Sequence, residues 1–261
     1  MAGSEEKPPV KAIILSAGQG HRLGPLTTSI PKCLLPISGK PIIEWQIDAL
    51  LSTGINQVTV ITGFQSCLIE TLLQHRYGND GRIETVFNPF FSITDNLVSC
   101  WIARAAMDRD FLLLNGDTLF EEVLLARVLS SDPAPVTLSV DQKPVYDADD
   151  MKVQLDENGW VRHVSKTLPT GQIDAESVGL VLFRECGPLL FRDALEEALR
   201  HQSGLKAWYL SIIENLANRQ LVKACFVPES SWCEIDFPAD LIKAEDLFGE
   251  KRLSRSVIMQ R

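Results

Sequence analysis

Arg22 and Lys32 follow two glycines, Gly18 and Gly20, in the segment LSAGQGHRLGPLTTSIPKCLLPISGKPII (residues 15–43), a grouping suited to a triphosphate. Glycines let backbone N–H groups come close to phosphate oxygens. The Arg22 guanidinium offers a rigid fork of donors and Lys32, in a Pro-Lys step, a compact point charge. A turn that only reversed the chain would need neither cation. Asp117 is the next candidate. In LLLNGDTLF it follows an apolar strand-like run, so its carboxylate can be held at a fixed place in a cleft and bind Mg²⁺ against phosphates. The alternative reading of Asp117 is an Asx turn leaving the strand.

Two other phosphate-binding patterns are absent. No G-x-x-x-x-G-K-[ST] run occurs, and position 23, where a dinucleotide fingerprint needs its third glycine, is Leu23. Composition narrows the field further. The net charge of −9 argues against general nucleic-acid binding, because a polyanion is repelled over most of such a surface. There is no apolar run of the ~18 residues a membrane span requires, and MAGSEEKPP lacks a signal peptide's apolar stretch, so a cytoplasmic location is expected. The six cysteines have no C-x-x-C spacing, which disfavours a zinc site or a disulfide framework and predicts that most are small core residues.

The elements that must position these residues alternate between strand and helix in residues 10–120. Strands are expected at 10–17, 57–62, 82–87 and 111–114, and helices at 41–52, 65–77 and 95–106, the last with Thr94 or Asp95 as N-cap. This predicts a mostly parallel sheet that binds ligands at the carboxyl ends of its strands. Beyond it, short strands at 135–140, 151–155, 160–166 and 177–183 suggest a smaller antiparallel portion. Helices at 186–201 and 207–218, a strand at 221–226 and a closing helix at 238–248 complete the reading. The expected organisation is a flexible 1–9, one domain over 10–248 with a nucleotide half (10–120) and an acceptor half (135–248), and a basic tail at 249–261.

Residues 15–43 resemble the N-terminal signature of the sugar-nucleotidyltransferase family, roughly LAAGxGxRLxPLTxxxPKxLxPxxxKPxI; Ser16 and His21 depart from it. The resemblance implies a Rossmann-like α/β fold with a mixed, mostly parallel sheet flanked by helices. It implies nucleotide contacts from the backbone at Leu15, Ala17, Gly18 and Gly20, with Arg22 and Lys32 on the leaving phosphates. WCEIDFPADL resembles the family's late E-I-D segment, which makes Asp236 a second carboxylate for the metal; Phe237 stands where a small hydroxyl residue is usual. Lys152 and Lys166 match a region from which the family supplies a lysine to the acceptor phosphate, although solvated surface lysines are the ordinary alternative. Glu176 and Gly179, in DAESVGLVLF, are placed by the resemblance at the acceptor pocket.

NPFFSITDNLVSCW (residues 88–101) resembles the base-reading segment of the cytidylyltransferases that activate phosphocholine and related phospho-alcohols, and carries Asn96 and Ser99 to the nucleobase. The implied partners are CTP and a small phosphorylated acceptor, with Mg²⁺ as cofactor. The acceptor would attack the α-phosphorus and release pyrophosphate. No general base is required, since a phosphate monoester with a second pKa of about 6 is already largely dianionic. Phosphocholine would call for an aromatic cage, to which Trp101, Trp208, Tyr209 and Trp232 could contribute unless they are core. Two other readings stay open: a sugar-1-phosphate nucleotidyltransferase using UTP, dTTP or GTP, and a non-catalytic subunit binding a nucleotide sugar. Oligomeric state is also open.

Overall fold

The structure, a computed structural model, describes residues 9–78 and 81–258. The first half of the chain runs β1 (Lys11–Ser16), β2 (Pro36–Ile37), β3 (Lys40–Pro41), α1 (Ile42–Ser52), β4 (Val58–Thr62), α2 (Ser66–Tyr77) and β5 (Ile83–Phe87). It continues through α3 (Asn96–Ile102), β6 (Phe111–Asn115), β7 (Thr118–Phe120) and α4 (Glu122–Leu129). The second half holds β8 (Val136–Asp141), β9 (Lys152–Leu155), β10 (Val161–Ser165), β11 (Ala175–Phe183), α5 (Gly187–Leu199), α6 (Leu210–Ala217), β12 (Val222–Phe226), β13 (Trp232–Glu234) and α7 (Pro238–Ile258).

Nine strands form one mixed sheet in the order β10-β9-β11-β6-β1-β4-β5, with β8 beside β11 and β12 beside β8. The strands β6, β1, β4 and β5 are parallel. Direction reverses at β11, which is antiparallel to β6, β8 and β9. The expected antiparallel portion is therefore continuous with the parallel half and joined to it through β11. Period-2 alternation assigns the strand residues to two cores. Ile13, Leu113, Val181 and Phe183 pack with α3, α5 and α6 on one face, where Phe111 and Phe183 stack at 4.5 Å. Ala12, Ile14, Leu112, Leu114, Leu180 and Leu182 meet α1, α2 and α4 on the other.

A third, smaller core lies beside the chemistry. Leu23, Leu35, Ile37, Ile42, Leu119, Ile235, Ala244 and Phe248 tie the glycine-rich segment, the β2–β3 ribbon, the β7–β13 pair and α7 together. The ribbon turns through Ser38 and Gly39, both at positive φ (51° and 73°), as a two-residue hairpin of the right-handed twist requires.

Three expectations are revised. The closing helix does not stop at 248 but runs to Ile258. Gly249 reads as a stop signal, yet a helix-interior glycine costs only about 1 kcal/mol against alanine, and the good helix formers of GEKRL carry the helix on. Residues 122–129, left without an element, form α4, which buries Leu124, Leu125 and Val128. Of the six cysteines, which are all free, Cys33, Cys100 and Cys225 are buried as expected, but Cys67 and Cys186 are exposed. Most of the expected N-terminal segment 1–9 lies outside the described residues. Among those described, no helix is long and apolar enough to cross a membrane.

Candidate active site

The glycine-rich segment leaves the carboxyl end of β1 and wraps around the stem of Lys32. Gly20 has φ 81°, and a Cβ there would come within 2.9 Å of Lys32 Cβ, so this position needs glycine for both conformation and space. Thr27 closes the segment by donating from Oγ1 to the Gly20 carbonyl at 2.8 Å. Pro31, extended, then leads into a 3-10 turn, Lys32–Leu34, which buries Lys32. Neighbouring backbone packs closely on this end of β1: Phe64 N donates to the Ala17 carbonyl and Gly116 N to that of Leu15, each at 3.0 Å.

Asp117 lies in the tight turn between β6 and β7. Gln46, fully buried on α1, donates from Nε2 to the carbonyls of Asn115 (2.7 Å) and Thr118 (2.8 Å), clamping the turn from below. Pairing of β7 with β13 sets Thr118 opposite Glu234, and Ile235 N donates to the Asp117 carbonyl at 3.0 Å. This register brings Asp236 to Asp117 across 119 positions of sequence (236 less 117). Asp240, in the first turn of α7, accepts from the backbone N–H groups of Asp236 (3.0 Å) and Phe237 (2.8 Å) and so fixes the segment's exit.

The cations meet the carboxylates here. Lys32 Nζ bridges Asp117 Oδ2 at 2.8 Å and Asp236 Oδ1 at 2.6 Å. Arg22 reaches the other oxygen of Asp236 at 2.7 Å, lies 3.6 Å from Asp149, and has the Phe237 ring 5.3 Å from its guanidinium carbon. Burial alone would lower the Lys32 pKa, but the two aspartates outweigh it and hold the ammonium above its ordinary value. Glu234 completes the cluster: its ligand oxygen and those of Asp117 and Asp236 lie within 4.8 Å of one another. Desolvation first, and then the charges of Asp117 and Asp236, push the Glu234 carboxyl up to about 8. Sequence reasoning missed Glu234. The signal was available, since Glu234 and Asp236 are two apart on an extended segment and alternate residues share a face.

Hard oxygen ligands suit Mg²⁺. Asp117 Oδ1 is buried and has no hydrogen-bond partner among the described residues. A buried, unpaired carboxylate oxygen is costly, so the three carboxylates fit a divalent cation that Asp117, Glu234 and Asp236 would hold.

The residues expected at the acceptor have the following partners. Lys152 is buried, and its Nζ donates to the carbonyls of Asp147 (2.6 Å), Lys166 (2.9 Å) and Asp150 (3.4 Å), tying two loops together. Glu176 is also buried. Lys143 bridges it at 2.8 Å to Asp150 at 2.7 Å, and desolvation leads the causes that push its carboxyl to about 7. Gly179 (φ 72°) sits where the β11–β8 register shifts, and a Cβ there would lie 2.6 Å from Asn115 Nδ2, so it backs the Asp117 turn. Lys166 keeps its ammonium 4.4 Å from the centre of the exposed Trp208 ring. A cavity of about 660 Å³ opens nearby, lined by Gln142, Lys143, Tyr146, Lys152, Leu168 and Asp174 among others. The four aromatics do not act as a unit: Tyr209 is core, Trp101 carries Arg104 at 3.7 Å, and Trp232 donates to Asp141 at 2.8 Å.

Asn96 and Ser99 stand on α3. Asn96 Oδ1 accepts from Tyr209 N at 2.9 Å, and Ser99 Oγ accepts from Asn88 Nδ2 at 3.0 Å. Asp95 occupies the N-cap position of α3 as expected, without a side-chain capping bond.

The profile of the nucleotidyl transferase family matches residues 11–150, which carry the glycine-rich segment, Arg22, Lys32 and Asp117. The chain belongs to that family. Its relatives include the CMP-5'-(3-aminopropyl)phosphonate synthase of Streptomyces rubellomurinus, 28% identical over 257 residues that cover 96% of this chain and 40% of the relative. The chain thus spans well under half of that protein's length. The CTP:phosphoglutamine cytidylyltransferase of Campylobacter jejuni is 26% identical over 259 residues, covering 89% of this chain and 98% of the relative. Among solved structures, the inositol-1-phosphate CTP transferase of T. maritima superposes with a TM-score of 0.78 at 20% identity, covering 94% of this chain and 97% of that one. Nucleotidyltransferases of the nucleotide-diphospho-sugar fold are its structural neighbours, as the glycine-rich signature implied.

Proposed function

We propose that the protein transfers CMP from CTP to a small metabolite bearing a phosphate or phosphonate group and releases pyrophosphate. The observation that carries this reading is the convergence of two cations from a glycine-rich loop, Arg22 and Lys32, on a cluster of three carboxylates. An anionic oxygen of the acceptor attacks the α-phosphorus, the bond from that phosphorus to the bridging oxygen breaks, and the electron pair leaves with pyrophosphate. Arg22 and Lys32 hold the departing β- and γ-phosphates, and Lys166 meets the acceptor's charge beside the cavity. Mg²⁺, when bound, neutralises phosphate charge. The chain then has to position two anions and offset their repulsion, with no proton to remove.

CTP is favoured by relatives whose names specify CTP or a CMP product. Ser99 agrees with that choice. Its oxygen accepts from Asn88, which leaves the hydroxyl hydrogen as a donor for an acceptor such as cytosine N3, whereas uracil presents N3–H. Asn96, with its oxygen on Tyr209, keeps amide hydrogens for a base carbonyl. A nucleotide panel read by pyrophosphate release tests the choice. CTP should exceed UTP by about tenfold or more, roughly 1.4 kcal/mol. Equal rates would instead support transfer to a sugar phosphate.

A further inference from the structure

Lys32 does more in this cluster than hold phosphate. Its Nζ touches one oxygen of Asp117 and one of Asp236, which are two of the three groups that would ligate a divalent cation. An ammonium held at 2.6 and 2.8 Å by Asp236 and Asp117 and a metal ion bonded to the same two carboxylates compete for their negative charge, even where the metal takes the unpaired Oδ1 of Asp117. With Arg22 on Asp236, two side-chain cations already face the two aspartates. A divalent ion arriving alone would push Lys32 off its partners and leave it beside a dication in a partly buried site. A triphosphate arriving with the ion brings oxygens that take over the ammonium.

We propose that Lys32 is a tethered cation that closes the carboxylate cluster to free divalent metal, so that the metal enters with the triphosphate and not ahead of it. This rests on the cluster being the metal site of a nucleotidyltransferase. Lys32 then sets when the metal can enter. Gly20 makes the exchange possible, because the absence of a Cβ there is what leaves room for the Lys32 stem.

Mn²⁺ alone, titrated without nucleotide into the full chain and followed calorimetrically or by electron paramagnetic resonance, tests the idea. Lys32→Met should bind Mn²⁺ at least about tenfold more tightly than the parent, a difference of ~1.4 kcal/mol. Mn²⁺ should raise the Tm of Lys32→Met but hardly that of the parent, since a ligand stabilises the state that binds it. Adding Asp117→Asn to Lys32→Met should erase the gain, which places it at this cluster. Lys32→Gln serves the same comparison if the methionine variant does not fold. Equal Mn²⁺ affinity in parent and variant would overturn the proposal. If at the same time Asp117→Asn abolishes metal-dependent pyrophosphate release, the metal site stands and only the competition is wrong; if Asp117→Asn turns over normally, the metal site itself is wrong.

Discussion

Asp236 serves two cations with its two oxygens, Lys32 on one and Arg22 on the other, while Asp117 keeps one oxygen on Lys32 and a second buried without a partner. The two aspartates should therefore fail differently. Asp117→Ala removes a proposed metal ligand and one Lys32 partner but also relieves an unpaired buried oxygen, so pyrophosphate release should fall by about a hundredfold or more with little net change in Tm. Asp236→Ala should match that loss of rate and lower Tm as well, because it leaves Lys32 and Arg22 with one carboxylate fewer. Activity within a few-fold of the parent at saturating Mg²⁺ would remove either residue from the site. Residue type and spacing singled out Arg22, Lys32 and Asp117 in the sequence, and Asp236 came only from the resemblance of WCEIDFPADL to the family's late E-I-D segment. Their mutual ion pairs were not legible, because the β7–β13 register that creates them joins segments with no local signal for each other. Phe237 shows the same limit: it departs from the family pattern, and only the fold reveals the Arg22 guanidinium beside it.

At the scale of elements, α1 and β11 hold the site in shape. Gln46 reaches from α1 to both carbonyls that flank the Asp117 turn, and Gly179 of β11 presses on the same turn from behind. Gln46→Leu leaves two buried carbonyls unpaired at about 1–3 kcal/mol each, and should raise the Mg²⁺ concentration needed for half-maximal rate more than it raises the KM for the acceptor. An unchanged Mg²⁺ requirement would make Gln46 structural only. The Lys143–Asp150–Glu176 network carries a pH prediction. Glu176 is raised from 4.5 to about 7, so the folded chain keeps a proton that the unfolded chain releases. Its contribution to stability is full below pH 4.5 and is lost as pH rises to about 7. Glu176→Gln should then lose less Tm than the parent over that window; parallel curves would show that this carboxyl does not titrate there. Strand and helix periodicity made most of the first half readable. The joining role of β11 was not, because its apolar run fits an edge or a centre equally well, and only pairing to β6 decides. Lys152 belongs with it: a lysine in an alternating strand looks solvated, and nothing local announces the three carbonyls that bury it.

Over the whole molecule the net charge is −9, so the proposed transfer between two anions has to draw its attraction from a few local cations, Arg22, Lys32 and Lys166. One sheet carries both regions: β1 and β6 lead into the glycine-rich segment and Asp117, while β9 gives Lys152 to the cavity lining and β10 ends one residue before Lys166. The most direct test uses CTP radiolabelled at either the α- or the γ-phosphate, with Mg²⁺ and an acceptor panel of 3-aminopropylphosphonate, phosphoglutamine, phosphocholine and inositol 1-phosphate. Transfer of the α-label to an acceptor, with the γ-label recovered only in pyrophosphate, is the predicted result. Transfer of the γ-label to an acceptor, or release of both labels with no labelled acceptor product, would contradict it.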